Sequence, residues 1–154
     1  MGAAINQQPT LAFLLQSTQL FAKIYHLQET PMTSWITICD TCKREGWTPE
    51  SQPRTDGELF ADLIEARART AGVKTRRVSC MMGCTRACNV AVQAPEKLSY
   101  VLGRFAPSAE NAQAIVDYAA LHQASDTGQV PYRDWPQAVK GHFTTRMTPL
   151  PDTD

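Results

Sequence analysis

The stretches that decide the fold are SWITICDTC (34–42) and VKTRRVSCMMGC (73–84). In each, a short run rich in β-branched residues leads directly into cysteines, which predicts a strand that ends at a cysteine-bearing turn. If the two strands are parallel neighbours, their cysteines lie at the same end of the sheet. A site made of four thiolates requires that geometry.

The cysteines form two groups. Cys39 and Cys42 are a C-x-x-C, and Cys80, Cys84 and Cys88 are a C-x-x-x-C-x-x-x-C. Four thiolates suit either a structural zinc ion or an iron–sulfur centre. We therefore expect the two cysteine groups to bind a metal centre together.

The residues between the cysteines favour iron and sulfide over zinc. Zinc knuckles usually pair two tight C-x-x-C turns that carry Gly or Pro, whereas here Asp40 and Thr41 fill the first turn and the second pair has three intervening residues. Met81 and Met82 would give an apolar cover, and Gly83 would let backbone N–H groups approach bridging sulfides. This pattern predicts a [2Fe–2S] cluster, with zinc as the alternative.

The C-x-x-C also fits a thiol oxidoreductase. Such sites lower the pKa of a thiol at the start of a helix. Gly46, Pro49 and Pro53 predict a loop over 43–54 that delays the helix to about Thr55. The dithiol reading is therefore the less favoured alternative.

Helix and strand signals follow the first cysteine group. Thr55 and Glu58 form a capping box, and Gly72 is suited to end that helix. Strand-like runs at 90–94 and 98–105 are separated by three residues, which is hairpin spacing. Later, Ser108 is placed to cap a second helix.

The resulting order is β-α-β-β-β-α, which predicts an α/β domain of thioredoxin-like layout over 34–123. A ferredoxin-like split βαβ arrangement is the runner-up, but it needs a crossover helix where only a three-residue turn is present. We expect residues 1–33 to form an amphipathic helical extension and the proline-rich residues 124–154 to form an irregular tail.

Composition excludes some classes of protein. The 154 residues carry 15 basic and 15 acidic side chains, and this balance gives no support for nucleic-acid binding. The apolar residues 11–27 lack a basic segment before them, which argues against a secretory signal. We therefore expect a cytoplasmic protein without membrane spans, in a reducing compartment where clustered cysteines more often bind metal than form disulfides.

The stretch Val78-Ser79-Cys80-Met81-Met82-Gly83-Cys84, followed by a hairpin, resembles the second ligand pair of thioredoxin-like [2Fe–2S] ferredoxins and of the small [2Fe–2S] subunit of respiratory complex I. Residues 34–123 also resemble an uncharacterised bacterial family labelled predicted metal-binding protein, often found beside cobalamin-synthesis genes.

The resemblance implies a ligand set and a role. Cys80 and Cys84 would bind one iron, and Cys39 and Cys42 the other. The role would be one-electron transfer, as a non-enzymatic carrier, to or from a redox partner protein such as an enzyme of cofactor synthesis. A metal-handling accessory module for that synthesis is the alternative, and a homodimer formed through the hairpin or the N-terminal helix stays open.

In thioredoxin-like ferredoxins the position of Cys88 carries Gly or Pro. Cys88 is therefore a spare ligand, a substitute for Cys42, or a nearby free thiol.

Two further sets of side chains bear on the site. Six cations near the cysteines form either a docking face for an acidic redox partner or a solvated strand edge; they are Lys43, Arg44, Lys74, Arg76, Arg77 and Arg86. The three histidines show no ligand spacing, and we expect them at the surface or at helix ends; they are His26, His122 and His142.

Overall fold

The structure is a computed structural model that describes residues 32–151. Five strands and two helices follow one another along these residues. They are β1 (Trp35–Cys39), α1 (Asp56–Ala71), β2 (Lys74–Val78), β3 (Val90–Gln93), β4 (Ser99–Leu102), α2 (Ala109–Ala124) and β5 (Phe143–Met147). The mixed α/β class is therefore confirmed. The amphipathic helix predicted within residues 1–33 lies outside the described residues.

The strands form one sheet in the order β2-β1-β3-β4-β5. β1 and β2 are parallel, and every other neighbouring pair is antiparallel. Because β1 and β2 are parallel, both run toward the same end of the sheet. Cys39 at the end of β1 pairs with Val78 at the end of β2.

Local signals in the sequence define α1. The Thr55 side chain accepts a hydrogen bond from the backbone N–H of Glu58, and the Glu58 carboxylate accepts one from the N–H of Thr55. At the other end, Gly72 adopts the left-handed conformation with φ 68° and donates to Ala68 O. The predicted capping box and the predicted terminal glycine are both confirmed.

The core lies between the sheet and the two helices. Alternate strand residues face the helices, as the two-residue period of a strand requires. The largest buried apolar side chains of this layer are Ile36, Ile38, Val90, Val92, Leu102, Phe60, Ile64, Ile115, Val116 and Tyr118. Neither helix in residues 32–151 is long and apolar enough to cross a membrane.

The prediction of an irregular tail is wrong for part of residues 124–154. β5 lies within that range and pairs with β4 at the edge of the sheet. Val139 is fully buried, and the Trp135 and Phe143 rings are in contact, with their centroids 4.1 Å apart and their planes tilted by 31°. β5 has no alternation of apolar residues because most of it is exposed, so the sequence carries no strand period there.

His122 lies in the last turn of α2, one of the two positions expected for it, but its ring is fully buried. His122 Nε2 lies 2.7 Å from Leu98 O, and Nδ1 lies 2.7 Å from the Ser34 hydroxyl. A carbonyl oxygen only accepts, so Nε2 carries the proton and Nδ1 accepts from Ser34. Both ring nitrogens are thereby satisfied, which makes burial of the neutral ring tolerable.

Candidate metal centre

The two cysteine groups meet at one end of the sheet. Cys80 follows β2 by two residues, directly beside the end of β1. The backbone N–H of Met81 hydrogen-bonds the Cys39 sulfur. The Thr41 hydroxyl, between Cys39 and Cys42, donates to Ser79 O. The turn after β1 and the turn after β2 are therefore in direct contact.

Three of the five thiols form a buried group. Cys39 and Cys42 are each 4% exposed and Cys88 is fully buried, whereas Cys80 and Cys84 are exposed. In residues 32–151, no three side chains of the metal-ligating types stand close enough together to hold a metal ion. The turns after β1 and β2 therefore lie together, while Cys80 and Cys84 are exposed to solvent.

Within the buried group, Cys42 is the thiol that loses its proton most readily. Hydrogen bonding from the Cys88 thiol, with further donors from Asn89 and Cys39, outweighs burial and lowers the pKa of Cys42 to about 5. The same interaction with Cys42, together with burial, raises the pKa of Cys88. Burial, followed by the neighbouring Cys42, raises the pKa of Cys39. Cys42 is thus the sulfur of this group on which a negative charge is most stable.

Asn89, which the sequence pattern did not single out, contacts both cysteine groups. Its backbone N and side-chain Nδ2 lie 3.4 Å and 3.7 Å from Cys42 Sγ. Nδ2 also donates to Gly83 O at 2.6 Å, inside the Cys80–Cys84 turn. A polar residue placed directly after a cysteine and directly before a strand was the only signal in the sequence.

The start of α1 packs against the C-x-x-C turn. The loop over 43–54 delays the helix to Asp56, as predicted, but it folds back so that Gly57 N donates to Cys42 O at 2.9 Å. The helix thus begins after the loop and still contacts the C-x-x-C turn. The first-turn N–H of Glu58 bonds the Thr55 hydroxyl, so these two helix donors reach oxygen and not sulfur.

The six cations near the cysteines are engaged in different ways. Arg44 pairs with the buried Asp56, and Arg77 pairs with Asp62 and Glu65. The other four make contacts without a carboxylate among the described residues. Lys43 lies over the Trp47 ring, Lys74 over the Trp35 ring, Arg76 bonds Thr37 and Gln93, and Arg86 bonds Thr144.

Backbone N–H groups are directed at the cysteine sulfurs. A backbone N–H points at each of three sulfurs: Met81 at Cys39, Asn89 at Cys42, and Met82 at Cys80, the last at 3.3 Å. Hydrogen bonds of this kind stabilise the charged form of a thiol and are one of the means by which proteins tune iron–sulfur clusters.

Comparison with known proteins yields a family and no individual relative. No curated protein and no solved structure matches the chain. A family described as "Protein of unknown function (DUF1636)" matches residues 36–149, a range that begins in β1 and extends past β5. It includes all five cysteines, Asn89 and the last strand, and the chain therefore belongs to the DUF1636 family.

Proposed function

We propose that this protein is a metal-binding electron carrier that holds a [2Fe–2S] cluster through Cys39, Cys42, Cys80 and Cys84. The observation that carries the proposal is the parallel pairing of β1 with β2, which brings the turn after each strand to one end of the sheet. The Met81 N–H bonded to Cys39 Sγ links those turns. The cluster, when bound, supplies reversible one-electron chemistry.

The strand arrangement supports the thioredoxin-like part of this proposal. The order β2-β1-β3-β4, with β1 and β2 parallel and a following antiparallel hairpin, is the βαβ plus ββα layout expected for such a domain. In this layout the first two strands terminate at the same end of the sheet. The cysteines lie at that end.

The environment of the sulfurs favours iron–sulfur over zinc within this proposal. Met81, between Cys80 and Cys84, is partly buried and packs against the hydrophobic core. Backbone N–H groups at three sulfurs stabilise the added negative charge of a reduced cluster. Zinc bound by four thiolates has no redox change for these donors to favour.

The ligand assignment leaves Cys88 as a neighbouring thiol. Cys88 is fully buried behind Cys42, whereas Cys80 and Cys84 are exposed on a turn that lies beside Cys39. Turning two exposed side chains toward the buried pair requires less rearrangement than exposing Cys88. Cys88 then supports Cys42 as a hydrogen-bond donor.

We also propose an acidic redox partner protein, in the cytosol, such as an enzyme of cofactor synthesis. Lys43 follows Cys42 directly, and Arg86 lies between Cys84 and Cys88. Neither side chain forms an ion pair with any residue in 32–151. Their positive charge remains available to attract a partner to the end of the sheet where the cysteines lie.

The test is metal and acid-labile sulfide analysis of protein purified without oxygen or reconstituted with iron and sulfide. We expect two irons and two sulfides per chain, in line with a [2Fe–2S] centre, and a brown colour that bleaches on dithionite. Cys80→Ser and Cys84→Ser should each abolish the colour, while the matched change Cys88→Ala should keep it. Zinc without sulfide, or loss of colour only in Cys88→Ala, contradicts the proposal.

The packing of α1 against the C-x-x-C turn favours a second candidate, a thiol oxidoreductase. The thiolate character of Cys42 agrees with it, whereas the burial of Cys39 and Cys42 keeps both from a disulfide substrate. This candidate predicts metal-free protein that reduces disulfides, with Cys84→Ser as active as wild type. Cys39→Ser should then abolish the activity.

A further inference from the structure

We propose that Asn89 is a positioning residue that couples the two cysteine groups and raises the reduction potential of the cluster they hold. This inference rests on the proposed function. It goes beyond the ligand set because Asn89 would not bind iron. It acts through Cys42 and through the turn that carries Cys80 and Cys84.

Asn89 makes contacts to three parts of the site from a buried position, with 2% of its surface exposed. Its backbone and side-chain nitrogens both point at Cys42 Sγ. Its carbonyl oxygen accepts from Cys39 N at 3.1 Å, which holds the end of β1. Its Nδ2 group donates to Gly83 O, so the C-x-x-C and the C-x-x-x-C turn share one side chain as a link.

Two glycines provide the space for this side chain. A Cβ on Gly83 would lie 2.6 Å from Asn89 Oδ1, and a Cβ on Gly103 would lie 2.8 Å from the same atom. Real Cβ atoms do not approach that closely, so a side chain at either position would displace the amide. Gly83 is therefore needed as the partner of Asn89 and not only as a flexible residue between cysteines.

The link has two physical consequences. Reduction places additional negative charge on the sulfurs, so N–H groups directed at Cys42 stabilise the reduced cluster more than the oxidised one and raise its potential. The bond to Gly83 O fixes the turn after β2 relative to Cys42. Removing the amide should lower the potential and loosen the hold on Cys80 and Cys84.

The test compares Asn89→Ala and Asn89→Asp with wild type, all reconstituted with iron and sulfide. The matched control is Asn111→Ala. It removes a half-buried side-chain amide that donates to Ala106 O at 2.9 Å and makes no bond to a cysteine. We measure the reduction potential by mediated titration of the visible spectrum and the electron paramagnetic resonance spectrum of the reduced form. Circular dichroism reports the fold.

We expect Asn89→Ala to lower the potential and Asn89→Asp to lower it further, because a carboxylate near Cys42 repels the added electron. Asn111→Ala should keep both the potential and the spectrum of wild type. Folded Asn89 variants that lose the cluster while the control retains it also support the proposal.

Loaded Asn89 variants with the wild-type potential and spectrum overturn the inference, as do Asn89 variants that unfold, since Asn89 would then be a general structural residue. Wild-type protein without iron and sulfide overturns the proposed function itself, so the two failures are distinguishable.

Discussion

At the scale of the residue, Gly57 is fixed by its contact with the C-x-x-C turn. A Cβ at this position would lie 2.7 Å from the backbone carbon of Asp40 and closer still to Cys39 O. Both contacts are with backbone atoms at the junction of a strand and a helix, so neither the strand nor the helix can shift easily to make room. We expect Gly57→Ala to lower the free energy of unfolding by about 3 kcal/mol, the upper part of the range for overpacking, as measured by urea unfolding.

The control for this change is Gly46→Ala. Gly46 has φ 82° and no atom within 4 Å of an added Cβ. Its cost is therefore the strain of a left-handed alanine, about 1 kcal/mol, and metal uptake should be unaffected. Equal stability losses in the two variants would contradict the assigned contact.

His122 predicts a specific acid sensitivity. Burial lowers the pKa of this imidazole below its usual value. The imidazole is therefore protonated near pH 6.5 in the unfolded chain but stays neutral in the folded one. The free energy of unfolding falls as the pH drops below about 6.5, by at most about 1.4 kcal/mol per pH unit. We expect His122→Gln to remove this contribution.

The measurement is urea unfolding of both proteins at pH 7.5 and pH 5.5. Contributions from the cysteines are common to the two and cancel in the difference. The wild-type protein should lose more stability on acidification than His122→Gln does. Parallel losses would show that His122 does not control the response.

The sequence allowed the meeting of the two cysteine groups at one end of the sheet to be predicted, because their spacing and the strands before them are local. It did not reveal Asn89, since its role depends on Cys42, 47 positions earlier, and on Gly83, six positions earlier. A side chain that acts by linking distant segments has no period and no motif of its own. For the same reason the burial of His122, which depends on Ser34 and Leu98, was not predicted.

At the scale of elements, helix ends were predictable and the last strand was not. The capping box of α1 involves only residues within one helical turn, so it can be recognised from a short stretch of sequence. β5 instead owes its conformation to β4, with Met147 opposite Ser99. An exposed edge strand gains its order from pairing and not from an apolar face.

Ion pairs hold α1 to β2 and give a second dependence on pH. Arg77 of β2 contacts Asp62 and Glu65 of α1, each at 2.7 Å. Hydrogen bonds from Arg54 and then Arg77 lower the pKa of Asp62 to about 2, and Arg77 lowers the pKa of Glu65. These carboxylates stabilise the fold above about pH 4, their usual pKa, and lose that effect as the pH falls toward 2.

We therefore expect Arg77→Met to cost less than about 1 kcal/mol at pH 7, since the groups are partly exposed, and still less at pH 3 or in high salt. Unfolding by urea under the three conditions measures this. Arg133→Met is the matched control, because Arg133 pairs only with its chain neighbour Asp134 among the described residues. A loss that is the same at pH 3 and pH 7 would exclude the ion pairs as its cause.

At the scale of the whole molecule, the segment after α2 belongs to the domain that carries the cysteines. Val130 and Val139 are buried in the core, and the Trp135 and Phe143 rings pack edge-on against Tyr118. The family match extends to residue 149. We expect a chain ending at Pro149 to unfold with the melting temperature of the full protein, and a chain ending at Asp126 to lose cooperative unfolding.

The shorter chain should also fail to bind the proposed cluster, because the segment is bonded to the residue after β4 and to the turn that carries Cys84 and Cys88. Gly103 N donates to His142 O at 2.9 Å, and Arg86 Nη1 lies 3.3 Å from the Thr144 hydroxyl. Without β5, β4 becomes an exposed edge and both bonds are lost. Thermal unfolding followed by circular dichroism, together with a measurement of iron content, tests both effects. A chain ending at Asp126 that melts cooperatively and binds as much iron as the full protein would contradict the assignment of residues 127–147 to this domain.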